Sequence, residues 1–176
     1  MKKMSFVVAV LGLLTSCGSD KLSRQDAELG FTAAQTAMTT AWASAKPAGA
    51  LTSEQALNGG VDYSGSCPQS GTVALSGTYD VDLAGTGVGD LGVVFTDCAV
   101  SEQGVTVTVG GSTDWNMSVT STATTFKWTG DLTFSGDFSG SCAVDVTATV
   151  NYGGGNYGFT YSGTICGYDA GDTMGG

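Results

Sequence analysis

The sequence contains no histidine and only two prolines, and its six basic residues face sixteen acidic ones. Without histidine there is no serine–histidine–aspartate or cysteine–histidine nucleophile, no H-E-x-x-H zinc site and no histidine general base. No G-x-x-x-x-G-K-[ST] phosphate loop is present, and the glycine-rich stretch YGGGNYG (152–158) lacks the strand-to-helix context of a nucleotide site. We therefore expect no enzyme and no cofactor, and we interpret 152–158 as a hairpin turn.

Positive charge is scarce after the N-terminus. Lys2 and Lys3 stand at the start of the chain, and from Gly60 onward Lys127 is the only basic residue among twelve acids. A surface this acidic repels phosphate backbones and anionic lipid headgroups, so we expect no nucleic-acid partner. We interpret the acids as solubilising a glycine- and threonine-rich sheet. Attraction of divalent cations or of basic partners is the alternative.

No apolar run in the sequence is long enough to span a bilayer, which takes roughly 20 residues. The run Phe6–Leu14 is much shorter, follows the positively charged Lys2 and Lys3, and is followed by small residues. A charged start, a short apolar centre and a small-residue end are the three parts of an export signal. The N-terminus is therefore predicted to direct export from the cytoplasm.

The residues Leu14-Thr15-Ser16-Cys17 at the end of this run resemble the lipobox of bacterial lipoproteins. The resemblance implies a signal peptide over 1–16, an acylated Cys17 as first mature residue and a tether over 17–22. Each buried lipid CH₂ contributes about 0.8 kcal/mol, so several acyl chains form a durable membrane anchor. In enteric lipoproteins an Asp after this Cys favours the inner membrane, so Gly18 implies the outer membrane of a Gram-negative envelope. An ordinary secretory signal is the alternative.

Four further cysteines are present: Cys67, Cys98, Cys142 and Cys166. An even number in an exported chain indicates two disulfides, and three pairings are possible. Similar segments, Tyr63-Ser-Gly-Ser-Cys67 and Phe138-Ser-Gly-Ser-Cys142, each precede one further cysteine. This similarity favours Cys67–Cys98 and Cys142–Cys166. Zinc ligation is the alternative, but no C-x-x-C pair supports it.

A helix is predicted over residues 24–45, with Ser23 as N-cap and Asp26 in the first turn. Apolar residues recur at spacings of three and four and form one stripe: Ala27, Phe31, Ala34, Met38, Ala41, Trp42 and Ala45. We expect the stripe to pack on a sheet; a free, partner-binding helix is the alternative. A short helical turn is predicted over Thr52–Leu57, stopped by Asn58-Gly59-Gly60, so that 23–59 forms a helical segment.

Residues 60–176 are predicted to form an antiparallel β domain with one apolar and one hydroxyl-rich face. The candidate strands include an alternating segment from Val73 to Leu83 and four shorter ones: Leu91–Cys98, Val105–Val109, Thr113–Thr120 and Tyr157–Ile165. The predicted fold is mainly β, a meander of about seven or eight strands curled into a barrel-like sheet or a sandwich, with one N-terminal amphipathic helix. A small outer-membrane β-barrel is the alternative. Beyond the lipobox, the chain resembles Gly/Thr-rich, cysteine-containing envelope lipoproteins, which implies no activity.

The longest alternating stretch, residues 126–152, is too long for one strand of an ordinary domain and is predicted to fold back. A loop over 135–137 places Phe134 opposite Phe138 and Trp128 opposite Val144. A Gly153-Gly154 turn then pairs Val150 with Tyr157.

The predicted register of this stretch places Cys142 opposite Ile165. Cys166 then points to the other face of the sheet. A disulfide between Cys142 and Cys166 therefore requires a bulge near Gly163 or fraying of the strand end.

The remaining candidates are acidic or hydroxylated residues without a specific spacing. Asp80, Asp82 and Asp90 are weak candidates for calcium, and Asp80 with Asp82 or Asp131 with Asp137 are candidate carboxylate pairs for glycoside cleavage. Thr106, Thr108 and Thr120–Thr125 resemble the threonine arrays of ice-binding surfaces.

These observations favour a non-catalytic envelope lipoprotein with a structural or a ligand- or partner-binding surface. It would meet the membrane through its lipid anchor, and the sequence does not specify a protein or glycan partner. A secreted calcium-binding or carbohydrate-active domain that uses clustered aspartates is the alternative.

Overall fold

The computed structural model describes residues 21–44, 58–152 and 158–174. In chain order the elements are α1 (Arg24–Ser44), β1 (Asn58–Ser66), β2 (Ser70–Val81), β3 (Gly87–Glu102), β4 (Val105–Val119), β5 (Ala123–Gly136), β6 (Gly140–Asn151), β7 (Gly158–Ile165), β8 (Tyr168–Asp169) and α2 (Ala170–Met174). In these ranges, no helix combines the length and the apolar character needed to cross a membrane.

All eight strands belong to one antiparallel sheet in the order β1 to β8, each hydrogen-bonded to its neighbours in the sequence. Among the described residues, β1 pairs only with β2 and β8 only with β7, so the sheet is open. The predicted antiparallel meander and its strand number are confirmed. The sheet is covered by a helix and is neither closed on itself nor stacked on a second sheet within the described ranges.

Alternation along each strand gives the sheet two different faces. In β3, Leu91 and Val93 are buried on the inner face, which is the face toward α1, while Asp90 and Val94 are exposed on the outer face. Because side chains of a strand alternate between faces, this pattern commits each strand to one orientation. The prediction of one apolar and one hydroxyl-rich face is confirmed.

Helix α1 begins as its sequence predicts. The Asp26 backbone N–H donates to Ser23 Oγ at 3.1 Å, which is an N-cap contact. The apolar stripe is buried on the sheet from Ala27 to Ala41. Trp42 is an exception: its side chain is 48% exposed and packs edge-to-face on Tyr63 at a ring distance of 5.9 Å. Ala45 lies outside the described residues.

The helix crosses one end of the sheet from the β6–β8 side to β1. Near its start, the Tyr168 hydroxyl donates to the Leu22 carbonyl at 2.8 Å, and Lys21 forms a bridge with Ser141. Near its end, α1 approaches β1 so closely that a Cβ on Gly65 would lie 2.7 Å from the Ala41 Cα. Glycine at this position lets the helix backbone pack directly against the strand.

The long alternating stretch does form two strands, but the predicted register is wrong by two residues. Phe134 pairs with Gly140 and Trp128 with Val146, because five residues, 135–139, separate the last pair of the two strands and not the three residues 135–137. Val150 likewise pairs with Phe159 and not with Tyr157. A shift of two residues keeps every side chain on its predicted face, so the hydrophobic pattern cannot distinguish the two registers.

Cys166 reaches Cys142 without a bulge near Gly163. Of the two predicted routes, the end of the strand is the one that applies, because β7 stops at Ile165. Ile165 pairs with Val144 and Gly163 with Val146, in unbroken register. Cys166 follows the strand with φ 52° and donates its backbone N–H to the Ala143 carbonyl at 2.9 Å, which turns its side chain toward Cys142. Gly163 itself has φ 96°, and a Cβ there would lie 2.0 Å from the Asp145 carbonyl oxygen, so only glycine fits.

Several strand boundaries also differ from the predictions. Asn58, Gly59 and Gly60, expected to stop a helical turn, are the first residues of β1, and the turn Thr52–Leu57 itself lies outside the described residues. Leu83 is 93% exposed in the turn after β2. The candidate strands 105–109 and 113–120 are one strand, β4, because Gly110 and Gly111 continue the pairing with β5.

Candidate functional site: an apolar pocket beside the helix

The strands are too long for one helix to cover. β3 has 16 residues and at roughly 3.3 Å per residue reaches about 50 Å, whereas a helix is about 10–12 Å wide. Helix α1 meets β1 at Gly65, which pairs with Val73. Tyr79 lies six residues further along β2, roughly 20 Å away. The apolar inner face therefore continues past the helix.

An apolar pocket of about 460 Å³ lies on this inner face, beside the last turns of α1. One wall comes from the helix and the floor from four neighbouring strands. The lining residues are Met38, Thr39 and Trp42 of α1, Val61 of β1, Tyr79 of β2, Gly89 and Leu91 of β3, and Trp115 and Met117 of β4. Small-molecule sites in proteins are concave, mostly apolar and roughly 300–1,000 Å³ in volume, so the pocket is of the appropriate size and character.

The register of the sheet explains why these side chains meet. Tyr79 pairs with Gly89, and Gly89 pairs with Met117, so the three form one row across the inner face. The next inner row contains Leu91 opposite Trp115. Gly89 has no side chain, and a Cβ placed there would make ordinary contacts with Met117, Tyr79 and the Thr78 carbonyl oxygen at 3.6, 3.7 and 3.8 Å. The glycine thus leaves open space at the centre of the floor.

Aromatic rings support the floor of the pocket. Trp115 stacks on Phe126 of β5, with ring centroids 5.7 Å apart and planes 13° from parallel. Trp128 packs edge-to-face on Phe31 of α1 at 5.0 Å, and its indole N–H donates to the buried Thr113 hydroxyl at 2.8 Å. Such ring pairs fix side-chain orientation in addition to burying area. The floor is therefore held by packing independent of any ligand.

Both predicted disulfides are formed. Cys67 joins Cys98 across a sequence separation of 31, and Cys142 joins Cys166 across 24. The first links the end of β1 to β3 at the bulge between Phe95 and Cys98. The second links β6 to the turn before β8. Both lie at the end of the sheet that the helix covers, away from the row of Tyr79, Gly89 and Met117.

The three weak metal candidates are not brought together. Asp80 and Asp90 lie on the outer face beside a shallow cavity, and Asn116 donates a hydrogen bond to Asp90. Asp82 lies in the turn after β2 and accepts hydrogen bonds from the backbone N–H groups of Ala84 and Thr86, both at 2.8 Å. Over the described ranges no three His, Cys, Asp or Glu side chains are grouped as a metal site would require.

Asp82 stabilises its own turn, and this gives a pH-dependent prediction. The Thr86 hydroxyl, with backbone N–H groups of the same turn, holds the pKa of Asp82 below its ordinary value. A lowered folded-state pKa adds stability at pH values above the unfolded pKa of about 3.9, and this contribution is lost as the pH falls through the folded pKa. We expect Asp82→Asn to lower the urea midpoint near neutral pH, with the difference closing in acid.

Asp131→Asn is the control for this comparison, because it removes an exposed acid from the middle of β5 and no turn contact. Urea unfolding of both variants and the parent would be measured at neutral pH and well below pH 3.9. An Asp82→Asn difference that persists unchanged in acid would contradict the role of the carboxylate.

The other candidate groups are also dispersed. Asp131 lies on the outer face of β5, whereas Asp137 lies past the end of that strand and accepts the Thr106 backbone N–H at 2.8 Å. The two acids are six residues apart in the chain and lie in different places, so their carboxylates form no pair of the expected kind.

Among the threonines, Thr124 is buried on the inner face and its hydroxyl accepts a hydrogen bond from the Tyr152 hydroxyl at 2.6 Å, while Thr125 faces outward. The run 120–125 is therefore not one flat array.

The lining of the pocket was not predicted as a site. Alternation placed Tyr79 on an apolar strand face, and Leu91 and Met117 lay in candidate strands, but the pattern did not show which residues the helix leaves uncovered. Among the lining residues, Trp42 gave the clearest indication of a site in the sequence, since it is a large aromatic residue at the edge of the apolar stripe of α1. Cys17, the predicted acylation site, lies outside the described residues.

The described residues thus form an open eight-stranded antiparallel meander, which helix α1 crosses and two disulfides link. Comparison with known proteins adds no relative, since no family model, no curated protein and no solved structure matches the chain.

Proposed function

We propose that this chain is a lipid-anchored, non-catalytic binding module of the Gram-negative envelope, and that it holds a small apolar molecule in the pocket between α1 and β1–β4. The lipobox Leu14-Thr15-Ser16-Cys17 supports the anchor, and Gly18 after it supports the outer membrane as its location. The pocket supports the binding activity. This part of the proposal depends on one observation: a pocket of about 460 Å³ with an apolar lining that contains aromatic rings.

The energetics favour an apolar ligand. Removing apolar surface from water stabilises a complex by about 25 cal/mol per Å², and the pocket offers apolar surface on the helix side and on the floor. A binding site that is already formed in the free protein avoids much of the entropic cost of ordering side chains. The stacked Trp115–Phe126 pair and the buried Trp128–Thr113 hydrogen bond support a preformed floor.

A non-catalytic role agrees with the chemistry of the chain. Histidine is absent from the whole sequence, and the acids considered above are dispersed over the outer face and its turns. Of the described residues that line the pocket, none has a carboxylate, amine or thiol side chain. Its walls provide shape and apolar contact, which are the means of binding and not of bond cleavage.

The test fills the pocket from its floor. In Gly89→Leu the new Cβ makes ordinary contacts with Met117 and Tyr79, and the rest of the leucine side chain occupies space on the floor of the pocket. We expect this variant to weaken binding of a neutral fluorescent apolar probe such as N-phenyl-1-naphthylamine by tenfold or more, which corresponds to about 1.4 kcal/mol. Energy transfer to the probe from Trp42 and Trp115 provides the readout.

Gly92→Leu is the matched control, because Gly92 lies in the same strand but faces outward toward Ser76. Its affinity for the probe should equal that of the parent. The processed chain, residues 17–176 with Cys17→Ser, permits the titration without detergent. No probe binding by the parent protein, or equal binding by Gly89→Leu, would contradict a ligand site at this position.

A further inference from the structure

The pocket walls have very little capacity for hydrogen bonding. Polar atoms of the lining side chains are the Thr39 hydroxyl, the Tyr79 phenol and two indole N–H groups. The Thr39 hydroxyl is already placed to donate to the Gln35 and Thr36 carbonyls, at 3.0 and 3.1 Å. No charged side chain belongs to the lining within the part of the chain that the structure describes. The body of the ligand is therefore a hydrocarbon group, and any polar head lies at the mouth or outside it.

None of the described cations lines the pocket, and each of them faces another group. Lys21 stands over the Tyr168 ring at 5.2 Å, near the start of α1. Arg24 pairs with Glu28 at 3.1 Å, and Lys127 lies 3.9 Å from Asp145 on the outer face of β5. Lys46 lies outside the described residues. Within the described ranges, a negatively charged head at the pocket mouth has no cation to meet.

Acids, by contrast, follow the floor of the pocket closely. Four of them are bonded in the chain to a residue of the lining: Asp62, Asp80, Asp90 and Asp114. They project from the outer face, because neighbouring residues of a strand alternate, yet consecutive Cα atoms are only about 3.8 Å apart. Apolar walls also concentrate the field of nearby charges. Among the described residues, Lys127 also lies on this outer face, opposite Asn116 of β4, where it pairs with Asp145, so the net charge behind the floor is negative.

We infer that the pocket selects an amphiphile whose hydrocarbon part is buried and whose head group carries no negative charge, so that free fatty acids are excluded. This inference rests on the proposed function, since it specifies the ligand of the same site. Binding energy comes from burial of the apolar part, and the acids act as the repulsive element against anionic competitors. Such repulsion between exposed charges is sensitive to ionic strength.

The test compares three probes with the same chain and different heads: dodecyltrimethylammonium, dodecyl maltoside and dodecanoate, each below its micelle concentration. Displacement of N-phenyl-1-naphthylamine from the processed chain measures each affinity. We expect the cation to bind at least about tenfold more tightly than the anion at low ionic strength, and the neutral probe to lie between them. The ratio should shrink in about 1 M salt, where the Debye length is about 3 Å.

Two variants make the result specific. Only binding that Gly89→Leu abolishes is counted, which removes nonspecific adsorption of the cation to an acidic surface. Asp62→Asn with Asp114→Asn should reduce the ratio of cation to anion affinity without weakening the neutral probe. Both acids are exposed on the outer face, so neither contacts the pocket.

The outcomes separate the two proposals. If none of the three probes binds in a Gly89-dependent manner, the proposed function fails. If all three bind equally, or dodecanoate binds most tightly, the pocket stands and the inference about charge is overturned. Loss of tight dodecanoate binding in Lys46→Ala would identify the cation responsible for that result.

Discussion

Replacing Cys142 and Cys166 together with alanine should lower the free energy of unfolding by about 2–5 kcal/mol. The bond closes a sequence separation of 24 and fastens β6 to the turn that leads into β8 and α2. Without the bond the unfolded chain gains conformational freedom, and the turn loses its covalent attachment to the sheet. Urea denaturation with and without reductant measures the change.

Removal of the other bond is the control for this experiment. Alanine at Cys67 and Cys98 should also destabilise the protein, but through the end of β1. Hydrogen exchange distinguishes the two variants: amides of β7 and β8 should lose protection only when Cys142 and Cys166 are replaced. Free thiols in the folded protein, or unchanged stability in both variants, would contradict the assigned bonds.

Cys17→Ser should release the protein from membranes almost completely when it is expressed with its own signal. Anchoring through several acyl chains is far stronger than through a single chain, and the variant has no acceptor for the first of them. Fractionation followed by mass spectrometry of the N-terminal peptide gives the measurement. The parent should be found with membranes and carry lipid on residue 17.

Ser19→Ala, two residues further on, should leave the membrane fraction unchanged and serves as the matched control. An unmodified residue 17 in the parent, or a Cys17→Ser variant that stays with membranes, would remove the lipid anchor from the proposed function. The pocket would be unaffected by that result, since its described lining begins at Met38.

The sequence was most informative where one physical constraint determines the outcome. Strand alternation has a period of two, so it placed Trp128 and Val144 on one apolar face, and both side chains are buried. It did not determine register, because Trp128 opposite Val144 and Trp128 opposite Val146 place every side chain on the same faces. A turn that is longer by two residues shifts the register by two and gives the same hydrophobic pattern, so the pattern does not determine the turn length.

The disulfides illustrate a correct pairing reached with incorrect geometry. Sequence similarity around Cys67 and Cys142 predicted the pairs, whereas the expected register required either a bulge near Gly163 or fraying of the strand end. In the structure, positive φ at Cys166 immediately after β7 provides the change of direction. A single residue in the left-handed region carries no apolar signature, so periodicity could not have revealed it.

The candidate site was the least predictable part because it depends on two elements at once. The stripe of α1 and the inner face of the sheet were each foreseen, but the pocket arises from the place at which the helix crosses the strands. That place is determined by close contacts such as Ala41 against Gly65 and Phe134 against Gly30. These contacts join residues that are far apart in the chain, and the hydrophobic pattern of a single sequence does not show which residues will meet.

The most direct test of the pocket uses the three methionines that follow Cys17 in the sequence. Met38 and Met117 line the pocket, whereas Met174 lies in α2 and packs against another part of the core. In the processed chain with labelled methionine methyl groups, titration with dodecyl maltoside should shift the signals of Met38 and Met117 and leave that of Met174 in place. Three unchanged signals, or a shift confined to Met174, would contradict a ligand site beside α1.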